Sequence, residues 1–235
     1  MMDFYGFYTG KIFDAYKYLG AHVEEKGVTF RTFAPSASRI TLIGEFNDWQ
    51  EWEMNKVSDG NFWECYVPQA KSGQMYKYKI YDRNGNPVDH CDPYGFGMEL
   101  RPGSASIIRD MSKYKFKDSQ WLQSRSDCRK KPLNIYEIHF GSFRKPSDKA
   151  DDWYNYEEMI DILIPYLVKN GYNYLEIMPL NEYPCDESWG YQATGFFSPT
   201  SRYGTADQLK AFIDACHKHN IGVPVSYTHL TLPTT

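Results

Sequence analysis

The chain has 235 residues, room for one large domain or two ordinary ones, and its 42% hydrophobic content is that of a soluble globular protein. A net charge of −4 argues against a nucleic-acid partner, since phosphate recognition leans on clustered Lys and Arg; the one basic run, Arg129 to Lys131, reads as solvated linker. No apolar stretch approaches the ~20 residues that would span a bilayer, so no membrane-spanning helix and no membrane partner are expected.

The opening MMDFYGFYTGK carries an acid and no apolar core, so it does not read as a secretion signal. From Gly27 to about Tyr81 the dominant period is two: VTFRTF (Val28 to Phe33), RITLIGEF (Arg39 to Phe46), FWECYV (Phe62 to Val67) and YKYKIY (Tyr76 to Tyr81) alternate apolar and polar residues between short turns. Such spacing predicts an antiparallel β-sandwich, with IIRD (Ile107 to Asp110) as a closing strand. The charged stretch from about Met111 to Pro132 loses periodicity and reads as a linker.

The pattern then changes. LNIYEIHF (Leu133 to Phe140) is a nearly unbroken apolar run, as expected of a strand buried on both faces. Tyr156, Met159, Ile160, Leu163 and Leu167 share one helical face, with Pro165 inside the helix as an expected kink and Gly171 after its end. YNYLEIMPL (Tyr172 to Leu180) is a second buried strand. A second helix opens at Thr205 with a capping box completed by Gln208, and IGV (Ile221 to Val223) begins a third strand. The order β-α-β-α-β means parallel strands with crossover helices.

Between the second strand and its helix lies SWGYQATGFFSPTSRYGT (Ser188 to Thr205), a loop crowded with rings. Ligands bind at this C-terminal edge of parallel sheets, so the loop is the candidate site, while Phe196, Phe197 and Tyr203 are assigned to packing on neighbouring loops. The five cysteines, Cys65, Cys91, Cys128, Cys185 and Cys216, are scattered without a CxxC pair, so neither a zinc site nor a disulfide framework is expected. Reduced thiols place the chain in a cytoplasm.

These motifs, together with RTFAPSASRITLIGEFNDW and DPYGFGMELRPGSAS upstream, resemble the 1,4-α-glucan (glycogen) branching enzymes of the α-amylase superfamily, from about Tyr18 to Val223. The resemblance implies a multidomain β plus α/β protein: a carbohydrate-binding-like sandwich over residues 1–117, a linker over 118–132, and the first part of a (β/α)8 barrel over 133–223, truncated in strand three. It implies a retaining transfer of an α-1,4-glucan chain to a 6-hydroxyl, with no cofactor and α-glucan as partner. Tyr191 matches the tyrosine under the glucose at the cleavage subsite; an aromatic face suits a sugar's C–H face and an oxocarbenium-like transition state. Trp189 and Gln192 adjoin it. Trp49 and Lys77 match the stacking tryptophan and the hydroxyl-binding lysine of related glycogen-binding modules, although RNGNPVDH (Arg83 to His90) lacks the expected second tryptophan.

The resemblance stops after Val223. Ser226 and Thr231 stand where the family has an Asp and a His, His229 is out of register, and Pro224 falls where a strand would donate an N–H. The tail 224–235 is therefore unassigned and foreign-looking. Residues 133–223 supply about three of the eight barrel units. The family's nucleophile and acid/base come from later strands, so no catalytic residue is assigned, and Glu137, Glu176, Glu182, Asp186 and Glu187 are read as structural or solvated. The chain is expected to be inactive alone. The alternatives are a non-catalytic α-glucan-binding module acting through Trp49 and Lys77, and a segment of an isoamylase-type debranching enzyme.

Overall fold

The computed structural model describes residues 2–125, 130–149 and 151–224. The basic run's Arg129, the thiol Cys128, and Ser226, His229 and Thr231 of the tail lie outside the described residues. The chain forms two compact units, one of Met1–Met111 with Thr194–Ser198, the other of Ser112–Ala193 with Pro199–Thr235.

In the first unit a short helix α1 (Phe4–Tyr8) starts at Asp3, whose carboxylate accepts from the Gly6 amide at 2.9 Å. Nine strands follow: β1 (Gly20–Glu24), β2 (Gly27–Phe33), β3 (Arg39–Gly44), β4 (Trp52–Glu53), β5 (Asn55–Val57), β6 (Phe62–Val67), β7 (Met75–Tyr81), β8 (Pro87–His90) and β9 (Ser106–Ile107). They pair antiparallel in two sheets, ordered β1-β2-β6-β5 and β4-β3-β7-β8, with β9 on β7. The inner faces share one core, including Val28 and Phe30 from one sheet and Ile40, Leu42, Tyr76 and Tyr78 from the other. The alternation behind the prediction is visible in β7, where Tyr76 and Tyr78 are fully buried and Lys77 and Lys79 point outward.

Two expectations change in detail. β3 stops at Gly44, because the Asn47 side chain accepts from the Gly44 amide (2.9 Å) and donates to the Leu42 carbonyl (3.1 Å), turning the chain. The closing strand expected over 107–110 is the two-residue β9 instead. The stretch 83–90, where the second tryptophan was expected, ends in β8, whose proline is tolerated because the strand is at the sheet edge.

In the second unit a six-residue helix α2 (Ser119–Ser124) lies inside the stretch expected to be linker. Then come β10 (Ile135–Ile138), α3 (Phe140–Phe143), α4 (Glu158–Lys169), β11 (Tyr174–Ile177) and α5 (Ala206–Lys218). β10 and β11 pair in parallel, Ile135 with Tyr174 through Ile138 with Ile177. Alternate β11 amides point to opposite sides: Met178 N–H bonds Ile138 on one, while Leu175 N–H and Ile177 N–H bond the carbonyls of Gly222 and Pro224 on the other, at 2.8 and 3.1 Å. Pro224 thus lies along β11 using only its carbonyl, the one backbone hydrogen-bonding group it has.

α4 runs its twelve residues through Pro165 and buries Met159, Leu163, Ile164 and Leu167. α5 begins in the expected box, Thr205 Oγ1 accepting from Gln208 N–H and Gln208 Oε1 from Thr205 N–H, at 3.3 and 2.8 Å. Phe212 and Cys216 from α5 join the α4 residues and Leu175 and Ile177 in one core. Among the described residues no helix is long and apolar enough to cross a membrane.

Candidate functional site

The aromatic loop is built around one buried guanidinium. Arg202, whose side chain is 1% exposed, donates from Nη1 to Glu182 Oε1 at 2.8 Å and from Nη2 to Asp186 Oδ1 at 2.5 Å. Glu182 also accepts from the Ser201 amide (2.6 Å) and the Thr200 hydroxyl (3.2 Å), and the guanidinium sits 3.8 Å from the centre of the Tyr183 ring. A buried charge costs several kcal/mol unless its donors find acceptors; here both carboxylates and a π face meet it. Burial pushes the Glu182 carboxyl up, against the Ser201 amide and Arg202, which pull it down. The result is a clasp joining residues 182–186 to 200–202 at both roots of the loop.

Inside that clasp, residues Asp186–Ser188 form one tight turn and the next two residues take left-handed backbone, Trp189 at φ 54° and Gly190 at φ 91°. Gly190 is required for two reasons: its φ disfavours a side chain, and a Cβ there would come within 2.5 Å of the Pro179 carbonyl. The backbone at Gly190 is therefore pressed onto the chain just beyond β11. Tyr191 N–H then bonds Ser188 O at 3.0 Å.

These constraints hold the predicted residues together in the second unit. The Trp189 ring is 57% exposed, with its centroid 6.4 Å from the His139 ring at the end of β10. Tyr191 is half-buried and Gln192 exposed. His139 Nδ1 lies 3.0 Å from Ser142 Oγ. Burial and then Arg202 lower the imidazole's pKa, and Asp186 opposes them. Of the rings assigned to packing, Tyr203 is buried against Phe140 and Tyr156, and Phe197 stacks on Tyr94 within the first unit at 4.9 Å. Phe196 stays 63% exposed.

The other predicted pair is in the first unit. Asp48 and Trp49 are consecutive left-handed residues at φ 51° and 59°, and Trp49 N–H bonds Gly44 O at 2.8 Å, leaving the indole 41% exposed. Lys77 pairs with Ile43 in the β3–β7 register, at the same end of the sheet, and its Nζ donates to Ser104 Oγ at 2.9 Å.

Sequence reasoning missed the clasp. Its partners lie 16 and 20 residues apart and follow no helix or strand period. The available signal was one arginine inside the loop of rings and two acids just before it. Among the described residues no cluster of His, Cys, Asp or Glu is arranged to hold a metal.

Comparison with known proteins gives these features their setting. Residues 18–95 match the carbohydrate-binding module 48 family, the isoamylase N-terminal domain, so the antiparallel unit is a module of that class. The whole chain is similar to the 1,4-alpha-glucan branching enzyme GlgB of Dechloromonas aromatica (45% identity over 93% of this chain), and to those of Fusobacterium nucleatum (42%, 94%) and Geobacillus stearothermophilus (41%, 94%). Each of these three relatives is a 1,4-alpha-glucan branching enzyme, and the similarity runs along nearly all of this chain. The chain spans about 36% of the length of these relatives. A solved structure of a candidate alpha amylase from Salmonella typhimurium shares its fold with a TM-score of 0.68 at 25% identity, over 88% of this chain and 32% of that one.

Proposed function

We propose that the chain supplies the α-glucan-binding surfaces of a cytoplasmic branching enzyme of glycogen synthesis and performs no transfer by itself. The observation that carries this reading is the clasped loop: a buried ion pair and a forced left-handed Trp189–Gly190 turn hold Tyr191 and Trp189 in a fixed place just past β11. A fixed ring is what a sugar platform needs, since stacking gains little if the ring must first be ordered. Tyr191 is the floor of a glucose subsite, with Trp189 and Gln192 on its rim. Trp49 and Lys77 form a second contact on the sandwich, one by stacking and the other by hydrogen bonding sugar hydroxyls.

The parallel order β10, β11 and 222–224, with Tyr191 beyond the C-terminal end of β11, is that of the first three strands of a (β/α)8 barrel. Leu133 and Ile135, 59% and 45% exposed at the β10 edge, are the residues an adjoining strand would cover. In the complete enzyme an aspartate would attack C1 of an α-1,4-linked glucose as a glutamate protonates the leaving O4; an acceptor's 6-hydroxyl would then displace the enzyme, giving up its proton to that glutamate. Neither carboxylate is assigned to this chain. Identity to branching enzymes along nearly the whole chain favours this reading over a debranching relative, whereas the module match on residues 18–95 alone would suit a purely binding protein. Incubating the purified chain with amylose and recording the anomeric proton spectrum tests the division of labour. No α-1,6 signal is expected to grow, and a growing one would overturn the proposed inactivity.

A further inference from the structure

A concave site lies in the same second unit as the loop, lined by residues from 114–121 and from 214–220. Tyr114 and α2 flank the end of α5 to enclose a groove of about 350 Å³, within the ~300–1,000 Å³ of small-molecule sites. Its lining is held before any ligand arrives. The Trp121 ring stacks on His217 with centroids 4.8 Å apart and planes 16° from parallel, and His217 Nδ1 lies 2.9 Å from Asp118 Oδ2. Across from them Tyr114 donates its hydroxyl to Asp214 at 2.5 Å, and Asp214 also accepts the Lys117 amide at 3.0 Å.

Two lysines, Lys117 and Lys218, are set against two aspartates, so the lining carries no strong net sign and does not select an ion. What remains is a pair of fixed aromatic rings among groups able to donate or accept hydrogen bonds, with Gln120 and Asn220 at exposed positions on the rim. That combination suits a neutral ligand with apolar C–H faces and many hydroxyls. We propose that this groove is a further α-glucan site, taking one or two glucose units of a linear chain at a distance along the sequence from both the Tyr191 loop and Trp49. The proposal rests on the reading of the chain as an α-glucan binder. Its effect would be avidity: weak contacts on one polymer raise the effective concentration at the others.

The test is a titration of the ¹⁵N-labelled chain with maltoheptaose, following the indole N–H signals of its six tryptophans, with Trp121 assigned through a Trp121→Phe variant. The Trp121 signal is expected to shift saturably and to keep doing so in a Trp49→Ala, Tyr191→Ala double variant. Gln120→Ala, a change at an exposed position, is expected to weaken that titration about threefold or more. A Trp121 signal that stays fixed while those of Trp49 or Trp189 move would overturn the groove site and leave the glucan-binding reading standing, as would a titration unaffected by Gln120→Ala. If no indole moves at millimolar maltoheptaose, both readings fall.

Discussion

Arg202 keeps a full charge inside the protein, and its worth is best seen in what happens when a partner goes. Glu182 is 3% exposed on its side chain, so Glu182→Ala removes the buried carboxylate from the Nη1 side of the guanidinium and should cost about 3–5 kcal/mol in urea unfolding of the second unit. Asp186 is 42% exposed, so water can reach the Nε and Nη2 donors that Asp186→Ala leaves behind and the cost should be smaller, about 1–3 kcal/mol; equal losses would contradict the burial argument. Asp92 presents the opposite case, a carboxylate deep in the sandwich held only by neutral donors. It accepts from Tyr76 and Tyr78 hydroxyls at 2.7 and 3.0 Å and from the Tyr94 amide at 2.8 Å, and burial raises its pKa from 3.8 to about 6. The folded state therefore holds this proton more tightly than the unfolded chain does. Its stabilising contribution is complete below pH 3.8 and is lost as pH rises through 6, a change of about 3 kcal/mol. Asp92→Asn removes the titration, so its stability relative to the wild type should improve by that order between pH 4 and 7.5. A difference that does not vary with pH would exclude this role for Asp92.

At the scale of elements, the turn at Gly190 makes the sharpest demand. With φ at 91° and the Pro179 carbonyl 2.5 Å from any Cβ, Gly190→Ala should cost about 1–3 kcal/mol and displace both flanking rings. Maltoheptaose affinity should fall severalfold with it, and an unchanged affinity would mean that Tyr191 does not depend on this turn. Much of the surrounding scaffold was legible in advance because it obeys local rules. β2, β6 and β7 declare themselves by alternation, and α5 by the Thr205–Gln208 box. Elements that depend on distant partners stayed hidden. α1 is fixed by Phe4 and Phe7 packing edge-on against Phe62, at 4.8 and 5.4 Å, a contact made by β6 and invisible in FYGFY itself. β8 is exposed at every position, so no apolar period marks it. In the candidate site the rings could be read off the loop, but the Arg202–Glu182–Asp186 clasp that fixes them could not, for the same reason.

For the whole molecule, the two units have separate cores and carry separate sets of proposed contacts: Trp49 and Lys77 on the antiparallel unit, Tyr191, Trp189 and Gln192 on the parallel one. A net charge of −4 fits a neutral polymer as partner better than an anionic one. A branched polysaccharide offers many chain ends and segments at once, so individually weak platforms can act together. Co-sedimentation of the chain with glycogen measures this most directly. The chain is expected to pellet with the polymer, and Tyr191→Ala and Trp49→Ala are each expected to leave severalfold more of it in solution. A chain that stays wholly in the supernatant, or pellets equally well with both rings removed, would contradict the assignment of these aromatic residues to glucan binding.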